Sequence, residues 1–348
     1  RILIFDEPTA VLTPQESEEL FRTFSALKSH GKGIIFITHK LDEVLAVADR
    51  ITVIRQGKVI RTMDRAGATK PMIAELMVGK PVLMEVERKL QEPGKTVLEV
   101  RGLSVRSARG IPALDGLSFT LHAGEIYGIA GVEGNGQSEL VRCIAEGTDI
   151  EAGDILLEGT SIRRWSVRRR REAGIAHIPE DRQKYGLLLP FSLATNLTLG
   201  RHNKPPFASR LQLINTRAIR ESAREIIARY DIRTPSENTP ANALSGGNQQ
   251  KAVVARELSA SPRLLVASQP TRGVDIGATE FIHRQLMQAR AEGKAVLLVS
   301  ADLDELLALS DRIGVIFKGR IIKEFTHESA RREEVGLYMT GEMTHASA

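Results

Sequence analysis

Apolar residues fall along the chain in short unbroken runs separated by longer stretches of helical spacing. Residues 126–130, 264–267 and 295–299 are apolar throughout, the pattern of strands in a parallel sheet covered on both faces. Residues 153–157 and 175–178 read as further strands, and 97–100 and 119–121 as short strands around a turn at 108–112. Helical spacing marks 217–230, where Ile219, Ala223, Ile226 and Ile227 share a face, and predicts helices at 139–145, 279–291 and 303–309. Residues 190–243 are expected to be mostly helical. The pattern is α/β with a helical insertion. Its apolar runs are strand-length, far from the roughly 18 residues a bilayer-spanning helix needs.

The chain also repeats itself. A shift of 262 residues lays Pro8-Thr9 on Pro270-Thr271, Gly31-Lys32 on Gly293-Lys294 and Leu41-Asp42-Glu43 on Leu303-Asp304-Glu305. The register continues through Asp49-Arg50-Ile51 on Asp311-Arg312-Ile313 and Gly57 on Gly319, to Met77 and Gly79 on Met339 and Gly341. A gapless register this long implies two copies of one domain. Copy two runs about 165 residues from Val97 before its matching strand, whereas copy one has two. Residues 1–87 are therefore expected to be the tail of a domain whose earlier strands lie outside the chain. Residues 88–96, polar with Pro93 and Gly94, read as a linker, and 97–348 as the second domain.

Composition narrows the chemistry. Among 348 residues, 42% are hydrophobic, enough for a packed core, and the single Cys143 excludes a disulfide framework or a cysteine metal cluster. The opening residues carry no signal-peptide pattern, and a reducing cytosolic setting is expected. Lys and Arg exceed Asp and Glu by 48 to 43. Much of that excess lies in Arg163, Arg164 and Arg168 to Arg171, read first as a solvated helix face and second as a contact for lipid headgroups, nucleic acid or a partner. Four Tyr and one Trp give few stacking platforms for single strands, and no nucleic-acid partner is expected.

Two segments carry chemistry. Gly131-Val132-Glu133-Gly134-Asn135-Gly136-Gln137-Ser138 follows a strand and opens a helix. It matches the phosphate-loop spacing of Gly, four residues, Gly-Lys, then Ser or Thr, except at the lysine. Glycines let successive amides curl around phosphate oxygens at a helix N-terminus, and Ser138 presents a hydroxyl to Mg²⁺. Neutral Gln137 supplies no charge to the β and γ phosphates. Further on, Leu244-Ser245-Gly246-Gly247-Asn248-Gln249 precedes a helix, with Ser245 as N-cap and two glycines leaving the first amides open to an anion.

Together these residues resemble the ATP-binding subunits of ABC transporters over the entire chain. Residues 244–249 look like the family signature, Gly131 to Ser138 like a degenerate Walker A, and Leu3-Ile4-Phe5-Asp6-Glu7-Pro8-Thr9 like an intact Walker B. The layout is similar to the fused double-cassette ATPases of bacterial sugar and nucleoside importers, missing most of the first cassette. The implied fold is a P-loop ABC ATPase domain with a helical subdomain, preceded by the C-terminal part of a second such domain. The resemblance implies ATP and Mg²⁺ as ligands. Nucleotide contacts are implied along Gly131, Glu133, Gly134, Asn135, Gly136, Gln137, Ser138 and Glu139, and across a cassette pair from Ser245, Gly246, Gly247 and Gln249. It implies Asp6 and Ser138 for the metal, Glu7 as base and His39 on the γ-phosphate. Copy two has Ser268-Gln269 and Ala301 where copy one has Asp6-Glu7 and His39, so one half-site is expected to be competent and the other degenerate. Residues 178–182, Ile-Pro-Glu-Asp-Arg, stand where the family usually has a glutamine loop, and no aromatic near Val105 is placed to stack on adenine. The implied partners are two transmembrane permease subunits, an extracytoplasmic substrate-binding protein acting indirectly, and the remainder of the first cassette. The implied location is the cytoplasmic face of the cell membrane. Nucleoside import is the first reading, simple-sugar import the second, and a soluble non-transport protein of the same family the third.

Overall fold

The computed structural model describes residues 2–9, 12, 14–38, 40–55, 57–79, 92–107 and 110–342. They form two compact units. One comprises the described residues up to Gly79 with Asp275–Phe281; the other comprises the described residues from Glu92 to Val274 and from Ile282 onward. His39, and residues 88–91 of the expected linker, lie outside the described residues. Glu92 to Gly94 have no regular structure. No helix among the described residues is long and apolar enough to cross a membrane.

The first unit contains strand β1 (Ile2–Asp6), helix α1 (Pro14–Ser29), β2 (Gly33–Ile37), α2 (Leu41–Val47), β3 (Arg50–Arg55), β4 (Lys58–Asp64) and α3 (Lys70–Val78). β1 and β2 pair in parallel, Ile2 opposite Gly33 through Asp6 opposite Ile37. Phe24 of α1 lies against Phe5 and Phe36 of the two strands, at centroid distances of 4.7 and 5.7 Å. β3 and β4 form an antiparallel hairpin. Helix α3 is capped by the Thr69 hydroxyl, which accepts from the Met72 amide, and stops at left-handed Gly79.

The second unit opens with β5 (Thr96–Arg106), β6 (Pro112–His122), β7 (Ile126–Ala130), α4 (Gln137–Ala145), β8 (Ala152–Leu157), β9 (Thr160–Ser161), α5 (Val167–Glu172) and β10 (Ile175–Ile178). Helices α6 (Leu193–Thr198), α7 (Thr216–Arg229) and α8 (Gly246–Leu258) follow. Its remaining elements are β11 (Leu264–Ser268), α9 (Ile276–Ala291) from Ile282 onward, β12 (Ala295–Val299), α10 (Leu303–Leu309), β13 (Arg312–Phe317), β14 (Arg320–Thr326) and α11 (Arg332–Thr340). The main sheet runs β10-β11-β12-β7-β13-β14, parallel except for the last pair, and an antiparallel sheet runs β6-β5-β8-β9. β7, β11 and β12 are buried along their whole length, as their unbroken apolar composition requires. The core joins Val97, Leu103 and Phe119 of one sheet to Tyr127, Val266 and Leu297 of the other and to Leu140 and Ile144 of α4.

The 262-residue repeat recurs in the strand pairing. Ile2 opposite Gly33 becomes Leu264 opposite Ala295, and Arg50 opposite Asp64 becomes Arg312 opposite Thr326. Both hairpins shift register at the same step, after Val53 and after Val315. The Thr9 hydroxyl donates to Glu43 at 2.7 Å and the Thr271 hydroxyl to Glu305 at 2.9 Å. The copies differ in cover. Ile2 and Ile4 are 70% and 67% exposed, whereas Leu264 and Val266 are fully buried. In the second unit β7 fills the space between β12 and β13; among the described residues of the first, β2 pairs only with β1 and β3 only with β4.

Three expectations need correction. β5 and β6 each run 11 residues, far longer than 97–100 and 119–121, because register shifts interrupt their alternation. Residues 190–243 hold only α6, α7 and a short turn at Ala241–Ala243, with the chain between α6 and α7 folded as turns. The arginine cluster is not a uniformly solvated face. Arg170 is fully buried and donates to the carbonyls of Cys143, Ile144, Ile162 and Trp165. It satisfies the carbonyls at the C-terminal end of α4, where a cation also complements the helix dipole. Arg169 lies 4.4 Å over the Trp165 ring.

Candidate functional site

The loop between β7 and α4 is shaped by close approaches that exclude side chains. Gly136 caps α4 at φ 106°, and a Cβ there would lie 2.4 Å from the Ala113 carbonyl oxygen. Gly134 also needs its positive φ of 94°. The first i to i−4 bond of α4 runs from the Leu140 amide to the Gly136 carbonyl, so the amides of Gln137, Ser138 and Glu139 have no acceptor in the helix. They form the donor cluster that suits an anion. The Ser138 hydroxyl lies 3.5 Å from a Glu180 carboxylate oxygen, a pair of hard oxygen donors of the kind Mg²⁺ takes alongside phosphate and water. Among the described residues no cluster of three or more His, Cys, Asp or Glu could hold a metal without such help.

The loop is closed by its own amides. Gln137, at the lysine position, donates from Nε2 to the Val132 carbonyl at 3.0 Å, and Asn135 donates from Nδ2 to the same oxygen at 2.9 Å. Asn135 also accepts, on Oδ1 from the Lys318 amide and on its carbonyl from Gly319. The β13–β14 turn thus clamps the loop from outside, a role the sequence signalled only as a Lys-Gly pair between two strands. Glu133 is exposed, and Glu139 pairs with Arg142 at 2.8 Å.

Helix α8 supplies a second open end. The Ser245 hydroxyl accepts from the Asn248 amide and its Nδ2 group, and Gly246 and Gly247 form the first turn. Gln249 is turned inward, donating to the Ala241 carbonyl at 3.0 Å and accepting from Gln183 at 3.1 Å. It ties the helix down, and its side chain is committed to the protein interior.

The two copies share a backbone kink after the strand that bears the carboxylates. Glu7 sits at φ 44° with its amide bonded to the Ile37 carbonyl; Gln269 sits at φ 47° with its amide bonded to Val299. A left-handed non-glycine residue costs about 1–3 kcal/mol, and such strain gathers at functional positions. Asp6 and Glu7 are exposed. Their counterparts are neutral, Ser268 being buried and Gln269 accepting the Ala301 amide on Oε1 at 3.1 Å.

Beneath α8 lies a buried charge network. Glu257 accepts from Arg256 at 2.7 Å, from Arg171 at 3.1 Å and from the His177 amide. Burial pulls the His177 imidazole down to about 4, against the pull of Glu257, and its Nε2 is buried with no partner among the described residues. A histidine whose folded value is depressed leaves the unfolded chain binding the extra proton between about 4 and 6.5, so its contribution favours folding above 6.5 and is lost as pH falls. His177→Gln is therefore expected to flatten the pH dependence of stability in that window by up to about 1.4 kcal/mol per pH unit. Urea unfolding followed by Trp165 fluorescence at pH 5 and 7.5 measures this, and equal slopes in both proteins would refute it.

Comparison with known proteins decides the family. The profile of the ABC transporter family matches residues 114–272. The nucleoside import ATP-binding protein NupA of Lactococcus lactis subsp. cremoris is 47% identical over 340 residues, 98% of this chain and 67% of that protein. The guanosine import ATP-binding protein NupO of Bacillus subtilis is 48% identical over 340 residues, 98% of this chain and 66% of that protein. The chain belongs to the ATP-binding subunits of ABC transporters. It spans about two thirds of the length of the curated relatives it matches. A nucleotide-free ATP-binding cassette from an ABC transporter shares the fold, with a TM-score of 0.59 at 24% identity over 73% of this chain and 98% of the other.

Proposed function

We propose that the chain is the larger part of an ATPase that drives nucleoside import from the cytoplasmic face of the cell membrane. The observation that carries this reading is the likeness along 98% of the chain to two nucleoside-import ATP-binding proteins. The recurrence of pairings, kink and hydrogen bonds 262 residues apart supports reading residues 1–87 as the C-terminal part of a first cassette and 97–348 as a second. The exposed apolar faces of β1 and β2 then belong against the remainder of that first cassette.

The two half-sites divide the work. Glu7 accepts a proton from the water that attacks the terminal phosphate, and Asp6 and His39 complete that half-site; the Ser245–Gly247 end of α8 offers open amides to a phosphate. The loop at Gly131 to Ser138 holds a nucleotide without efficient hydrolysis, because Gln137 is neutral and turned onto Val132, and Ser268-Gln269 lack the charges of Asp6-Glu7. Asp6 in one half-site and Ser138 in the other would hold Mg²⁺, which would neutralise charge on the phosphate oxygens. Two permeases and an extracytoplasmic binding protein complete the transporter.

Uptake of labelled guanosine and labelled ribose tests the substrate. Deleting the gene is expected to lower guanosine uptake at least about tenfold, the loss of a principal carrier's transport driving force, with ribose uptake unchanged. The reverse pattern would replace nucleoside by sugar import.

A further inference from the structure

Arg182 pairs with no carboxylate among the described residues. Asp181 instead accepts the amides of Gln183 and Lys184, fixing the turn by itself. The Arg182 guanidinium reaches away, donating from Nη1 to the Arg272 carbonyl at 2.8 Å and from Nη2 to the Gly273 carbonyl at 3.1 Å. Those carbonyls belong to the turn that follows Ser268-Gln269. Its third neighbour is the first residue of α8: a Cβ on Gly246 would sit 2.8 Å from Arg182 Nη2. Its Nε is buried with no partner among the described residues.

Two neighbours reinforce the arrangement. Gln183 Nε2 donates to Gln249 one turn further along α8, and Gln250 Nε2 donates to the Pro270 carbonyl of the same following turn. Burial lowers the Arg182 pKa from the ordinary arginine value, but a guanidinium remains charged at physiological pH. A fixed positive charge with no carboxylate partner among the described residues therefore stands beside a helix N-terminus whose first amides are open. Both contribute potential of the same sign toward an anion.

We propose that Arg182 is a positioning residue for the anion-binding end of α8, locking Gly246 and the Arg272–Gly273 turn into one arrangement and adding permanent positive charge there. The proposal rests on the reading of the α8 N-terminus as an element that meets a nucleotide phosphate. It also gives Gly246 a second reason to be glycine. Any side chain there displaces the guanidinium before it meets a phosphate. Arg182 acts through the helix end and not through the loop that first binds nucleotide, so its loss falls on turnover more than on affinity.

The test uses the full-length ATPase assembled with its permeases. Arg182→Gln is expected to lower kcat at least about tenfold while KM for ATP stays within about threefold, the signature of an interaction that matters in the transition state. Arg182→Lys, which keeps the charge and can reach one carbonyl, is expected to fall between. Gly246→Ala is expected to cost clearly less in the Arg182→Gln background than with Arg182 present, since the two changes disrupt one contact. Wild-type kcat in Arg182→Gln, or additive effects of the pair, would overturn the proposal. If Arg182→Gln does not fold, as judged by Trp165 fluorescence, the Lys and Ala variants decide: unchanged kcat in both overturns the proposal, and loss in both with KM retained supports it. Failure of the underlying site reading is separately visible, because Glu7→Gln would then also leave turnover intact.

Discussion

Glu7→Gln in the full-length ATPase with its permeases is expected to lower ATP turnover by about 10²- to 10⁴-fold, the usual contribution of a positioned general base. Nucleotide binding should persist. The substitution is clean because the chain already contains its structural control. Gln269 occupies the equivalent position of the second unit with φ 47° against 44° for Glu7, and its amide makes the equivalent bond, to Val299 where Glu7 bonds to Ile37. Glutamine therefore fits this kink without moving the strand, so lost turnover reports lost basicity. Steady-state hydrolysis with parallel nucleotide-binding measurements checks it. Turnover at the wild-type level would remove Glu7 from the chemistry and with it the assignment of competent and degenerate half-sites.

The sequence revealed most where one physical demand dominates. Strands buried on both faces must be apolar throughout, which is why 126–130 and 295–299 coincide with β7 and β12. The phosphate loop was legible because amides can converge only where glycines permit left-handed turns, as Gly134 and Gly136 do. Where side chains chose between solvent and distant backbone, the pattern was silent. Arg170 looks like its neighbours in sequence, yet it alone of the consecutive run Arg168 to Arg171 is fully buried, because the end of α4 and the turn at Ile162 to Trp165 converge on it. Gln249 could as well have faced a nucleotide; the Ala241 carbonyl and Gln183 side chain that hold it inward are eight and 66 residues away. Arg182 depends on partners 90 and 91 residues on. Such contacts follow from topology and have no local periodicity to announce them.

The largest stability effect is expected at Glu257. Its carboxylate is fully buried and joins α8 to α5 and β10 through Arg256, Arg171 and the His177 amide. Burial alone raises its pKa, but the charges of Arg256 and Arg171 and their hydrogen bonds outweigh that and hold it below the ordinary glutamate value. Glu257→Leu matches the site in bulk but leaves two guanidinium groups and an amide facing a hydrocarbon. Removing one member of such a buried network costs about 3–5 kcal/mol, even where replacing every member at once is nearly neutral. Glu257→Gln retains one acceptor and should cost less. The sign of the pH dependence follows from the depressed folded value: stability from Glu257 is present above the unfolded carboxylate pKa and is lost as pH falls through the folded one. Urea unfolding of the full chain at pH 7, read by Trp165 fluorescence, should show the Leu variant with a lower midpoint and an unchanged slope. A loss below about 1 kcal/mol, the range of an exposed ion pair, would mean that Arg171 and Arg256 find other acceptors and that α8 is held to β10 by packing alone.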